Sequence, residues 1–182
     1  MVADSLIEDC VLERCGMGVV EIRSTTLKDI RGDLLICWGT LFDRVKIVGR
    51  FEKLMLHGIQ STRASEMELN RHAKRRMKFY ADVPWALDIS EALFDDFSIR
   101  TNAVPLERVI LDPKSQFVLR RERFEAVPLS SLGVSAYTKA VVQAMLDERV
   151  GSALLVAPRL DSKLFDAVRM DAARLAELGL LA

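Results

Sequence analysis

The segment Leu41-Phe-Asp-Arg-Val-Lys-Ile47 returns as Leu93-Phe-Asp-Asp-Phe-Ser-Ile99. At the same offset Leu35 falls on Leu87 and Cys37 on Ile89. A looser form, with two apolar residues following the first at the third and fifth places, recurs in Phe51-Glu-Lys-Leu-Met-Leu56 and Leu106-Glu-Arg-Val-Ile-Leu111. A partial copy is Leu27-Lys-Asp-Ile30. Each copy places a large apolar residue at a corner, then alternates sides along a short strand. Copies roughly ten residues apart leave room for a strand and a turn only. One such unit cannot bury its own apolar face, whereas stacked units can. The pattern predicts a short β-solenoid, with an ordinary mixed sheet as the alternative. In the solenoid reading Phe42 and Phe94 occupy equivalent buried positions.

Working outward, further runs rich in β-branched and aromatic residues read as strands. They include Gly18-Val-Val-Glu-Ile22, Asp33-Leu-Leu-Ile-Cys-Trp38, Arg44-Val-Lys-Ile-Val48 and Gln116-Phe-Val-Leu119. Residues 61–82 contain neither Gly nor Pro, and Pro84 follows. This predicts an amphipathic helix over about 62–82. Its wheel sets Leu69, Ala73, Met77 and Tyr80 on one face and Arg71, Lys74, Arg75 and Lys78 on the other. A second helix is expected over 136–149, capped by Ser135 and stopped by Gly151, with Tyr137, Val141, Ala144 and Met145 as its apolar stripe. Leu154-Leu-Val156 reads as a strand or an extra helical turn. A third helix over 163–178 is capped by Asp161 or Ser162 and ended by Gly179, with Phe165, Val168, Ala172 and Leu175 inward. The fold class is therefore α+β in a single domain over residues 1–182. A β-rich part (1–128, short β-solenoid or mixed sheet) is interrupted by one amphipathic helix and followed by a helical pair (129–182).

The phrase Ala86-Leu-Asp-Ile-Ser-Glu-Ala-Leu-Phe94 resembles the small-x-Leu turns of pentapeptide-repeat and other right-handed β-helix proteins. The resemblance covers a few coils. It does not extend to a strict five-residue register, so the four-sided fold and the activities of the pentapeptide family are not carried over.

Composition bounds the function. Lys and Arg number 26, as do Asp and Glu, so the net charge is zero and no global field favours nucleic acid or an anionic membrane. No apolar run approaches the roughly 20 residues that span a bilayer. The first fifteen residues carry Asp4, Glu8, Asp9 and Glu13, unlike a secretory signal. A cytoplasmic, bacterial-type protein is expected, with no membrane contact. Cys10, Cys15 and Cys37, an odd number without a framework, are expected as reduced thiols.

Catalytic patterns are sparse. His57 and His72 are the two histidines, too few for a three-histidine metal site, and no metal or cofactor is expected. His57 reads as a turn residue; His72 lies on the basic helix, within a turn of Glu68. Gly16-Met-Gly18 is a fragment of a dinucleotide fingerprint with Glu21 where the third glycine belongs. Asp95-Asp96, matched by Asp43-Arg44 in the other copy, reads as a solvated turn. Asp112-Pro-Lys-Ser115 reads as a turn between strands. Arg120, Arg121 and Arg123 read as a charged strand edge. The catalytic residues, if any, are not legible. The basic helix stands out: Arg71, Lys74, Arg75 and Lys78 form a candidate partner-binding face. The expected function is that of a non-enzymatic binding protein, in concrete form an immunity or antitoxin-type bacterial protein masking an acidic protein partner. The alternatives are an enzyme with a site assembled from scattered residues and, less favoured, a nucleic-acid binder acting through residues 71–78.

Overall fold

The computed structural model describes residues 1–13, 15–59 and 63–181. The first eight strands are short: β1 Val2–Ala3, β2 Leu6–Glu8, β3 Val11–Leu12, β4 Gly16–Met17, β5 Glu21–Arg23, β6 Thr26–Gly32, β7 Leu35–Trp38 and β8 Leu41–Asp43. Then come β9 Val45–His57, α1 Glu66–Ala81, β10 Leu87–Arg100, β11 Val109–Ile110, β12 Gln116–Arg120, α2 Ala136–Asp147, β13 Ser152–Val156 and α3 Ser162–Glu177. The chain is α+β.

The early strands begin about five residues apart, and burial follows the same step. Val2, Ile7, Leu12 and Met17 are shielded, as are Ser5, Cys10, Cys15 and Val20, while the described residues between them, Ala3 apart, are exposed. Two of every five side chains therefore point inward. The step allows one short strand and one corner per side. Several corners use left-handed backbone: Asp4, Asp9, Ser24, Asp29 and Arg44 have φ between 45° and 53°. Aspartate tolerates this region because its short side chain bonds locally. Each corner is also pinned to the next layer: Asp4 N–H donates to Arg23 O at 3.1 Å, Ser24 N–H to Asp43 O at 2.8 Å and Arg44 N–H to Trp85 O at 3.1 Å.

Layers pair in parallel. Val2 aligns with Ile22 and Ile22 with Phe42; Leu6 aligns with Thr26 and Thr26 with Lys46. β9 then pairs with β10, and β10 with β11, also in parallel. Gly32 shows how closely the layers approach: a Cβ there would lie 1.9 Å from the Leu12 carbonyl oxygen, at φ 132°. Ile22, Leu41, Val45, Ile47, Leu56, Leu87, Ile89 and Phe94 fill the interior.

Two expectations are corrected by register. Phe42 and Phe94 are both buried, but they are not equivalent: Phe42 aligns with Ile22, and Phe94 aligns with Phe51. The two Leu-Phe-Asp segments share a local pattern but not a register: β9 and β10 align residues 42 or 43 apart, whereas the segments lie 52 apart. Asp95 and Asp96 lie within β10 rather than in a turn; cross-strand alignment of Asp96 with Lys53 overrides the local polarity.

The C-terminal part is built on an antiparallel pair, β12 with β13. Leu154-Leu-Val156 is thus strand. Arg121–Arg123 forms a short 3₁₀ turn instead of continuing the strand edge. β13 is buried on both faces. Leu154 and Val156 pack into the first core, Ala153 and Leu155 into a second core with Val142, Met145, Val168 and Leu175. α2 is accordingly rotated from expectation, with Thr138, Val142 and Met145 buried and Tyr137 and Val141 half-buried. Ser135 and Asp161 cap α2 and α3 as expected. Asp171 of α3, itself buried, accepts from Ser135 N–H at 3.0 Å, from the Ser135 hydroxyl and from Thr138 Oγ1 at 2.6 Å, joining α3 to the start of α2.

Candidate functional site

α1 begins at a capping box: the Ser65 side chain accepts from Glu68 N–H while the Glu68 carboxylate accepts from Ser65 N–H at 2.8 Å. Ser61 and Thr62, in the expected helix segment, lie outside the described residues. Glu66 and Glu68 in the first turn and Lys78 in the last complement the helix dipole.

Packing selects one side of α1. His72 and Tyr80 are buried; Leu69, Ala73, Arg76 and Phe79 are half-buried. The Tyr80 hydroxyl accepts from Phe42 N–H at 3.2 Å. Arg76 Nη1 donates to the Gly58 carbonyl at 2.6 Å. The Arg23 guanidinium lies 5.0 Å above the Phe79 ring. Arg75 pairs with Glu21 at 2.7 Å, and this bond, with a second from Arg23, holds the Glu21 carboxyl below the usual carboxylate range.

The expected face is therefore rotated. Met77 is not packed inward but is 75% exposed, and Met67 is 67% exposed. The sheet presents a carbonyl at Gly58 and a carboxylate at Glu21, and these recruit Arg76 and Arg75 to the inner side and its margin. A wheel drawn on hydrophobicity alone cannot see such partners. Of the four expected binding residues, Arg71, Lys74 and Lys78 share the outward stripe, three and four residues apart, and enter no ion pair among the described residues. Arg75 is exposed but tied to Glu21. The outward face thus combines three cations with two methionines, which are flexible, polarisable and adaptable at binding surfaces.

A second concavity lies between β10 and α2. It is a groove of about 190 Å³ lined by Met55, Asp96, Ser98, Tyr137 and Val141, among others, with the ion-paired Arg100 and Glu148 also in its wall. Partial burial and the neighbouring Asp95 push the Asp96 carboxyl upward. Burial pushes the Tyr137 phenol upward as well.

His57 ends β9 and stacks on Trp38, with ring centroids 4.7 Å apart. Its Nδ1 stands 3.1 Å from Thr101 Oγ1, which accepts from Gly58 N–H at 2.8 Å. Thr101 has φ 50°, unfavourable for a β-branched residue, and its N–H is held by Glu148 Oε2 at 2.8 Å. A Cβ on Gly58 would lie 2.1 Å from Thr101 O. This network locks the turn after β10 to β9 and α2. No sequence pattern marks it, since its members lie far apart in the chain. His72 forms no bond to Glu68; its Nε2 is buried without a hydrogen-bond partner among the described residues.

Among the described residues no cluster of three His, Cys, Asp or Glu side chains could hold a metal ion, and no helix is long and apolar enough to cross a membrane. The chain matches no family model, no curated protein and no solved structure.

Proposed function

We propose that this chain is a binding protein whose contact surface is the outward face of α1, and that its partner surface is acidic. The observation that carries the reading is the placement of Arg71, Lys74 and Lys78 beside Met67 and Met77, all exposed. Like charges one turn apart repel by about 0.2–0.5 kcal/mol per pair. An acidic surface removes that repulsion and speeds encounter, while the methionines supply apolar contact. Three cations make a narrow footprint for nucleic acid, which needs a broader basic surface. The scaffold, in this proposal, is a short four-sided β-solenoid akin to the pentapeptide-repeat proteins. Parallel layers, corners every five residues and two inward side chains per side support it.

The test is a photo-crosslinking residue at Met77 in the native host, with Met170 on α3, 74% exposed, as the matched control. A protein is expected to be captured at residue 77 and not at 170. Capture is expected to be lost in Arg71→Glu/Lys74→Glu and to weaken between about 0.05 and about 0.5 M salt. Equal labelling at both positions, or capture unaffected by the charge reversal, overturns the reading.

A further inference from the structure

The chain's zero net charge conceals a separation. Residues 71–78 hold five Lys and Arg and no carboxylate, whereas residues 1–13 hold four carboxylates and no Lys or Arg. The structure turns this separation into two surfaces. The outward positions of β2 and β3 are Leu6, Glu8 and Val11; Asp9 stands at the corner between the strands and the exposed Glu13 follows directly after β3. Leu6 is 57% and Val11 63% exposed. Glu8 has a partner in Lys28 at 3.4 Å, while Asp9 and Glu13 enter no ion pair among the described residues. This ridge therefore mirrors the α1 face: exposed carboxylates with two apolar side chains, against exposed cations with two methionines.

Resting on the reading of α1 given above, we infer that the acidic surface it takes is the Leu6–Glu13 ridge of a second copy of this chain. One molecule cannot satisfy itself. α1 is held to the side formed by β5 and β8, through Arg75–Glu21 and Phe42–Tyr80, whereas β2 and β3 pair with β6 on other sides of the stack. Ridge-to-ridge pairing of two copies is disfavoured, because it would set Asp9 and Glu13 against their own counterparts. Ridge-to-helix docking joins opposite charges and covers all four exposed apolar residues. The contact is heterologous, so each copy keeps one free ridge and one free helix, and assembly continues into rings or open chains.

Sedimentation of the purified chain over a range of concentration and salt tests this. At low salt the mass is expected to rise with concentration above the 20.5 kDa of one chain, and at about 0.5 M salt to return to it. Arg71→Glu/Lys74→Glu and, separately, Asp9→Asn/Glu13→Lys are each expected to weaken self-association at least about tenfold. Asparagine is chosen at residue 9 because it tolerates the φ of 53° there. Circular dichroism verifies that both variants fold. An equimolar mixture of the two variants is expected to associate again, since the acidic ridge of one meets the basic helix of the other. A monomer at every concentration and salt, or an oligomer indifferent to both reversals, overturns the inference. If the chain stays monomeric while residue 77 still crosslinks a different host protein, the α1 surface stands and only the second copy falls. If residue 77 captures nothing, both fall.

Discussion

Phe51 and Phe94 face each other across adjacent parallel strands, register partners with ring centroids 6.4 Å apart. Phe97 stacks on Phe94 at 4.5 Å, extending the contact along β10. The pair lies in the first core, where both rings are almost fully buried. Truncating Phe94, Phe51 or Phe42 to Ala is expected to lower stability by about 3–5 kcal/mol each. A double-mutant cycle separates the geometries. Phe51 and Phe94 should show a coupling of about 0.5–1.5 kcal/mol, and Phe42 with Phe94 close to none. Coupling of Phe42 with Phe94 instead would mean that the seven-residue sequence match, 52 positions apart, and not the strand register, describes the core.

The Asp171 carboxylate ties the two C-terminal helices together. Asp171→Ala leaves Ser135 N–H and the Thr138 hydroxyl without their acceptor inside the protein. Hydrogen bonds to charged groups contribute about 1.5–3 kcal/mol, so a loss of about 3 kcal/mol in urea unfolding is expected. A loss below about 0.5 kcal/mol would show that the link is dispensable.

Both histidines are harder to protonate than a free imidazole. Burial, then Arg76 and Arg75, lowers the protonation range of His72; burial leads for His57, with Glu148 opposing it. The folded protein therefore binds these protons less readily than the unfolded chain. Stability is fully present above the unfolded histidine value of about 6.5 and is lost as pH falls from there through the lower folded values. The urea midpoint should be higher at pH 7.5 than at pH 5.5. His72→Phe, which keeps the buried volume without the titration, should narrow that difference. An unchanged difference would assign the pH dependence elsewhere.

Cys37 is buried, and burial pushes its thiol up to about 12. Cys10 and Cys15 are half-buried, each thiol lying 3.4 Å from the backbone carbonyl two residues earlier. Alkylation of the native protein is expected to modify Cys10 and Cys15 and to reach Cys37 only on unfolding, since the thiolate is the reactive form. Peptide mapping distinguishes the three sites. Early labelling of Cys37 would contradict its place in the core.

Local chemistry in the sequence determined a good deal. The apolar alternation identified the strand-rich part. Ser135, Asp161 and Gly179 marked helix ends, because a cap is a contact between neighbours in the chain. The charge of 71–78 was legible as a patch. The five-residue step of the first layers was written there too, but six different residue types fill its eight inward places, so the seven-residue match 52 positions apart is the plainer signal. Tertiary structure alone decided the rest. Register depends on which residues meet across strands, so Phe94 aligns with Phe51 although its flanking sequence matches that of Phe42. The rotation of α1 depends on a carbonyl at Gly58 and a carboxylate at Glu21, distant in sequence, that draw Arg76 inward, tie the exposed Arg75 at the margin and leave Met77 in solvent. Hydrophobicity is a property of one residue, but the choice of a buried face is a property of the surface it meets.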